Sequence, residues 1–438
     1  MGFNPRPGSR DPQPTALTRR RLLAYLLGAA LTAACGEAPP PPPPPSPVPP
    51  GPSPSPSPSP SPIPASPLIV PGRPASPSPS PGASPSPLPI VLGRPGLLAV
   101  EREGCILLVD PERQQPTRTV VASPDNAAPR WSPDGRGLLI VQGLGPTAEL
   151  RLIAPDGAPG RRLTANSRPE RSAAWSPRGD RIAYALPRAL GPDGNDDPAE
   201  PDEVWLLDVQ SGADRKLADG FDPAWSPDGR WLAYASNGQR DDQGPRANAI
   251  RIVGADGQGD RQVLAVSDLP ADLLPAFGLP FRPQTLRLRA PSWSPDGTRL
   301  VASADGHTSL VFTFDERGQN LRPWALAFEG VVGRARWSPD GTRLAVESRP
   351  ATGLDVVIVA ELANRREITI GGPIVGFQAS SPTWSPDGRR LGLIVANPPA
   401  QRGEPRETAL RLFSPDGTAL GDLIAEPGLR DPDWGRAP

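Results

Sequence analysis

The sequence predicts an all-β fold: a seven-bladed β-propeller closed by its own terminal strands, with six blades as the alternative. Three observations carry that prediction. Seven of the ten tryptophans stand at Trp131, Trp175, Trp225, Trp293, Trp337, Trp384 and Trp434, spaced 44, 50, 68, 44, 47 and 50 residues apart. One propeller blade takes roughly 40–50 residues. Five of these tryptophans open the string WSPDG, and Trp175 opens WSPRG. Each interval then reads as four short strands separated by turn signals, as in DPAWSPDGRWLAYAS followed by AIRIV and DRQVL.

In chain order, residues 1–35 come first. Three arginines precede an apolar run from Leu22 to Ala34, and small residues lead into Cys35. A basic start, a short apolar run and small residues describe an export signal. The run is thirteen residues long, whereas a helix that crosses a bilayer needs roughly 20. TRRRLL resembles the twin-arginine signal, and LTAAC resembles the bacterial lipobox, with Thr32 where that pattern has Leu. The second resemblance implies lipidation of Cys35 and a membrane anchor on the extracytoplasmic side. Cys105, in GCILLVD, is then expected as a lone buried thiol.

Residues 36–95 form a Pro/Ser-rich linker that cannot bury a core; the chain has 67 prolines, many of them crowded here. Its central stretch, residues 39–89, favours extended polyproline II, at about 3.1 Å per residue, and reaches roughly 160 Å. Its expected role is to hold a folded head away from a membrane.

The propeller is expected over 96–438. In Ser-Pro-Asp-Gly, proline presets φ at the second turn position, and Asp and Gly suit the third and fourth. A tryptophan buries on the order of 150–250 Å², so one at the end of each innermost strand is expected to wedge against the neighbouring blade. Before Trp131, GLLAVEREGCILLVDPERQQPTRTVV supplies three strands without a tryptophan strand, and LRDPDW at the C-terminus supplies only that strand. The two fragments complete one blade and clasp the ring, removing exposed sheet edges. The repeat WSPDGxxLAY…IxxxDxxG resembles the TolB-type, WD-like propeller repeat. In TolB itself a small α/β domain precedes the propeller, where this chain has its Pro-rich arm, so a TolB role is not what the resemblance implies.

The chain's long segments follow second strands (187–203, 236–249, 397–409) or a fourth strand (266–291), and so belong to the face opposite the SPDG turns. Loops on a rigid scaffold commonly carry binding. The acidic segment with Asp193, Asp196, Asp197, Glu200, Asp202 and Glu203 matches no EF-hand ligand order, so no metal and no cofactor is expected. The apolar group Leu269, Leu273, Leu274, Phe277, Leu279 and Phe281 caps the ring, packs on it, or docks a partner. Charged residues just before the tryptophans (Arg130, Asp222, Arg334, Arg336, Asp431 and Asp433) are expected at the mouth of the central channel.

Net charge is −1, and residues 96–438 carry −6, so no basic surface for nucleic acid is implied. The one histidine, His307, excludes multi-histidine metal sites. No GxSxG elbow and no glycine-rich phosphate loop occurs. Propellers of this repeat type also gate serine oligopeptidases, whose hydrolase domain this sequence does not contain. The expectation is therefore a monomeric, non-enzymatic, membrane-anchored propeller that binds an envelope protein, peptide or glycan. The alternatives are a TolB-like envelope component, or a lyase or hydrolase using channel carboxylates and arginines. Convergence of Arg336 and Asp433 on an open cavity would favour the enzyme.

Overall fold

A computed structural model describes residues 95–437 apart from interruptions, the longest at 188–201, 270–285 and 398–406. The export segment with Cys35, most of the linker, His307 and much of the long segments lie outside the described residues. Among the described residues no helix is long and apolar enough to cross a membrane.

Seven antiparallel sheets follow one another, each named below by its tryptophan. Six are built from strands in chain order, as in the Trp293 blade: Arg287–Trp293, Arg299–Asp305, Thr308–Asp315 and Arg322–Phe328. Among the described residues the Trp225 blade alone has a small extra hairpin, Arg240–Asp241 with Gly244–Pro245, between its second and third strands. The Trp434 blade closes the ring. Its inner strand Leu429–Arg436 pairs with Pro95–Arg102, followed outward by Cys105–Val109 and Arg118–Val121. Leu98, Val100, Leu107 and Leu429 are buried together there with Trp434. The seven-bladed form with terminal closure is thus the observed one.

The SPDG turns are nearly identical. In five of them the serine hydroxyl donates to the aspartate two residues on, at 2.5–2.6 Å. The same hydroxyl accepts the N–H five residues on, at 2.8–2.9 Å. The turn glycine needs φ of 69 to 73°, a region cheap only for glycine. In WSPRG the aspartate is displaced: Arg178 fills its place, and Ser176 donates to Asp180 instead.

The tryptophans act as wedges. The indole N–H of Trp175 donates to the Arg130 carbonyl, Trp225 to Ala174, Trp337 to Ser292 and Trp384 to Arg336, at 3.1–3.2 Å. In each case the acceptor directly precedes the tryptophan of the blade before. Trp434 differs, donating to Gly96 within its own blade. Leu269 packs in the core shared by the Trp225 and Trp293 blades, so the near end of the 266–291 segment serves packing.

One expectation fails. Cys105 is fully buried but disulfide-bonded rather than a lone thiol. The lone-thiol reading assumed that Cys35 was committed to lipid, and Cys35 lies outside the described residues.

Candidate functional site

Each innermost strand runs from the long-loop face toward its SPDG turn, and six of the seven carry a bulge three residues before the tryptophan. There Ala128, Ser172, Asp222, Ala290, Ser381 and Asp431 adopt left-handed φ of 49 to 52°. A left-handed non-glycine residue costs roughly 1–2 kcal/mol, so something must hold each one. The neighbouring blade does so in several cases. Asp222 accepts the N–H of Ala290 at 3.1 Å, and Glu347 accepts that of Ser381 at 3.0 Å. Glu101, fully buried, faces the N–H of Ala128 and is ion-paired with Arg430. Burial pushes the Glu101 carboxyl up, against the pull of Arg430. In the Trp337 blade the inner strand breaks between Val331–Val332 and Arg336–Trp337, and Arg334 occupies the gap.

The bulge places the residues one and three before each tryptophan around the ring axis. A cavity of about 460 Å³ there is lined by Arg130, Arg334, Arg336 and Asp433, with Ser172 and Trp175 on one side. These residues come from blades on opposite sides of the ring, which puts the cavity in the central channel. Asp222 sits beside it as a hub. It accepts the Ser172 hydroxyl at 2.7 Å and Arg334, two blades further on, at 3.1 Å. Asp433 accepts the N–H of Trp131 at 2.8 Å.

Three arginines therefore share a half-buried space in which the nearest carboxylates are largely committed elsewhere. Arg334 has Asp222, but the Arg130 side chain donates only to the Pro129 carbonyl, and the Arg336 side chain has no hydrogen-bond partner among the described residues. Burial, then repulsion from Arg130 and Arg334, pulls Arg336 down to about 10, with Asp433 and Asp431 offsetting only part of this. At neutral pH it remains a cation whose opposing charges, Asp433 and Asp431, act on it without a hydrogen bond among the described residues. Chemically, such a cluster can hold a carboxylate bidentately or stabilise negative charge that develops on a bound substrate.

The sequence reading places six charged residues at the mouth of the channel. Four line the cavity, Asp222 joins it through Arg334 and Ser172, and Asp431 occupies a bulge within the field of Arg336. It missed the bulge and the acids Glu101 and Glu347. Their signal was available: a carboxylate inside an otherwise apolar strand, as in LLAVER and RLAVESR.

No family model matches the chain. It is 30% identical over 156 residues to an uncharacterised peptidase of Bacillus subtilis (YuxL), a match covering 28% of this chain and 24% of that protein. The chain thus spans about a quarter of the relative's length. TolB from Acinetobacter baumannii is among its structural neighbours: 18% identity, 77% of this chain and 81% of the other covered, TM-score 0.43. An oligogalacturonate lyase solved with manganese is another: 13% identity, 71% and 82% covered, TM-score 0.51. The structural likeness is one of fold, and the TolB-type propeller anticipated from WSPDG is what the chain forms.

These matches correct the expectation of a non-enzymatic protein. The sequence relative is named a peptidase and a structural neighbour is a lyase. The expectation rested on missing histidine and nucleophilic-serine motifs, which exclude only those chemistries. Arg336 and Asp433 do meet on one open cavity, the arrangement that favours the enzyme.

Proposed function

We propose that this chain is an extracytoplasmic propeller that captures a carboxylate-bearing peptide or glycan in its arginine-lined channel, entered from the face of the long loops. The observation that carries the reading is the pair Arg130 and Arg336, two cations facing one cavity with no carboxylate hydrogen-bonded to either. A buried charge is costly unless paired, and an anionic ligand supplies the missing partner. The structural tryptophans serve this site: Trp175 fixes the Arg130 backbone and Trp384 that of Arg336.

A second reading, transformation of the bound ligand, is favoured by Asp433 on the same cavity wall, where a carboxylate and a cation face one substrate. Export belongs to the same proposal and rests on TRRRLL, whereas the lipid anchor that LTAAC suggests at Cys35 excludes a disulfide between Cys35 and Cys105, the chain's other cysteine. Loss of palmitate labelling in Cys35→Ala supports the anchor, and retained labelling refutes it.

The test is calorimetric titration of the full chain with tri-galacturonate and with a peptide bearing a free C-terminal carboxylate. The methyl ester and the amide serve as neutral controls, and product formation is followed in parallel. Binding of an acid form only is expected; equal binding of acid and neutral forms would contradict the reading. Product formation decides whether the channel also catalyses.

A further inference from the structure

The opposite face, where the SPDG turns lie, carries a second feature that the channel reading does not use. At three other seams of the ring, the residue six places after one tryptophan packs on or beside the next. Arg299 lies over the Trp337 ring at 5.1 Å, and Arg390 over Trp434 at 5.3 Å. Trp231 packs in the cluster that holds Trp293. In the first repeat that position is Gly137, so no side chain stands there to cover Trp175. Trp175 alone of the seven is only half-buried, while the other six are 7–9% exposed.

The opening is a groove of about 360 Å³ with Gly137, Leu152, Ile153 and Trp175 among its walls. The second departure from the repeat falls at the same place. Arg178 replaces the turn aspartate of the Trp175 blade and stands at the rim with Arg136 and Arg161. Arg161 donates to the Val209 carbonyl across the seam. Arg136 and Arg178 are exposed and donate no side-chain hydrogen bond among the described residues. The one acid on the rim, Asp134, is engaged by the Ser132 hydroxyl and the Arg136 N–H. An open indole face thus lies beneath three guanidinium groups.

We infer that this groove between the Trp131 and Trp175 blades is a docking site for an acidic polypeptide segment. An apolar or aromatic side chain of the segment would stack on Trp175, with flanking carboxylates on Arg136, Arg161 and Arg178. Three cations, two on neighbouring hairpin turns and one on the strand Arg161–Arg162, suit several carboxylates along a flexible chain better than a single acid group. Arginine beside an indole face is also the chemistry of interface hot spots. Trp175 borders both cavities, but Arg136, Arg161 and Arg178 line only this groove, so their substitution tests it apart from the channel.

The test restores the repeat. Gly137→Arg supplies the covering arginine found at 299 and 390. A Cβ at 137 meets only the end of the Leu152 side chain, at 2.9 Å, and 137 is not among the left-handed positions. Arg178→Asp restores the turn aspartate at an exposed position. Fluorescence polarisation with a labelled peptide of alternating Glu and Phe should show saturable binding to the full chain. Each variant should weaken that binding at least tenfold, and the wild-type affinity should fall as salt rises. Binding unchanged in both variants would overturn the inference. So would an acidic oligosaccharide that binds in a Gly137-dependent way while the peptide does not. Thermal melts of both variants establish folding, and Arg178→Asp carries the test if Gly137→Arg is destabilised.

Discussion

Arg336 occupies a place where positive charge is disfavoured, and the sign of the consequence is fixed. Its value is lowered toward 10 by burial and by Arg130 and Arg334, so the cation is less favourable in the folded than in the unfolded chain. That penalty exists at every pH below the folded value and disappears only above it. Arg336→Met should therefore raise the melting temperature at neutral pH by roughly 2–4 °C while weakening ligand binding. A lower melting temperature would mean that the residue has a hydrogen-bonded counter-ion after all. Arg336 was legible in the sequence because it directly precedes a repeat tryptophan. Glu101 and Glu347 were marked only as carboxylates within apolar strands, and their role exists only once the neighbouring blade presents a bulge N–H. The groove at Trp175 lay in between: Gly137 and Arg178 are visible departures from the repeat, yet only the packing shows that both open on one seam.

At the scale of the element, the hairpin turn is the best-determined unit of the chain. Ser294 is fully buried, donating to Asp296 and accepting the Arg299 N–H. Ser294→Ala leaves that N–H without its acceptor and should cost about 1–2 kcal/mol, read as a lower denaturation midpoint with unchanged slope. An unchanged midpoint would show that the turn is held by proline and glycine alone. The turn carboxylates also set the acid limit. Asp134 and Asp416 are held below the ordinary aspartate value of 3.8, chiefly by Ser132 and Ser414. A lowered folded value gives stability that is present above the unfolded value and lost as pH falls through the folded one. The turns should loosen only below about pH 4. The turn chemistry was legible because it is local. The bulge was not, because left-handed φ at residues as different as Ala128 and Asp222 has no common sequence mark.

At the scale of the molecule, closure depends on one strand from the C-terminus. Gly435 lies against Trp131, and a Cβ there would come within 2.7 Å of the indole. Gly435→Val should cost about 1–3 kcal/mol by overpacking, with the loss traced to the Trp131–Trp434 seam by hydrogen exchange in Leu98–Val109. Protection there equal to wild type would contradict the clasp. The ring was readable because its two incomplete ends add up to one blade. Its function was harder to read, because the charges that face the axis are scattered over more than 300 residues and only the closed ring brings them together. That gathering is the central claim, and the carboxylate titration tests it most directly when repeated with Arg130→Gln and Arg336→Gln. Each single variant should weaken binding at least tenfold, and the double variant should abolish it with the melting temperature at or above wild type. Undiminished binding in the double variant would contradict the account.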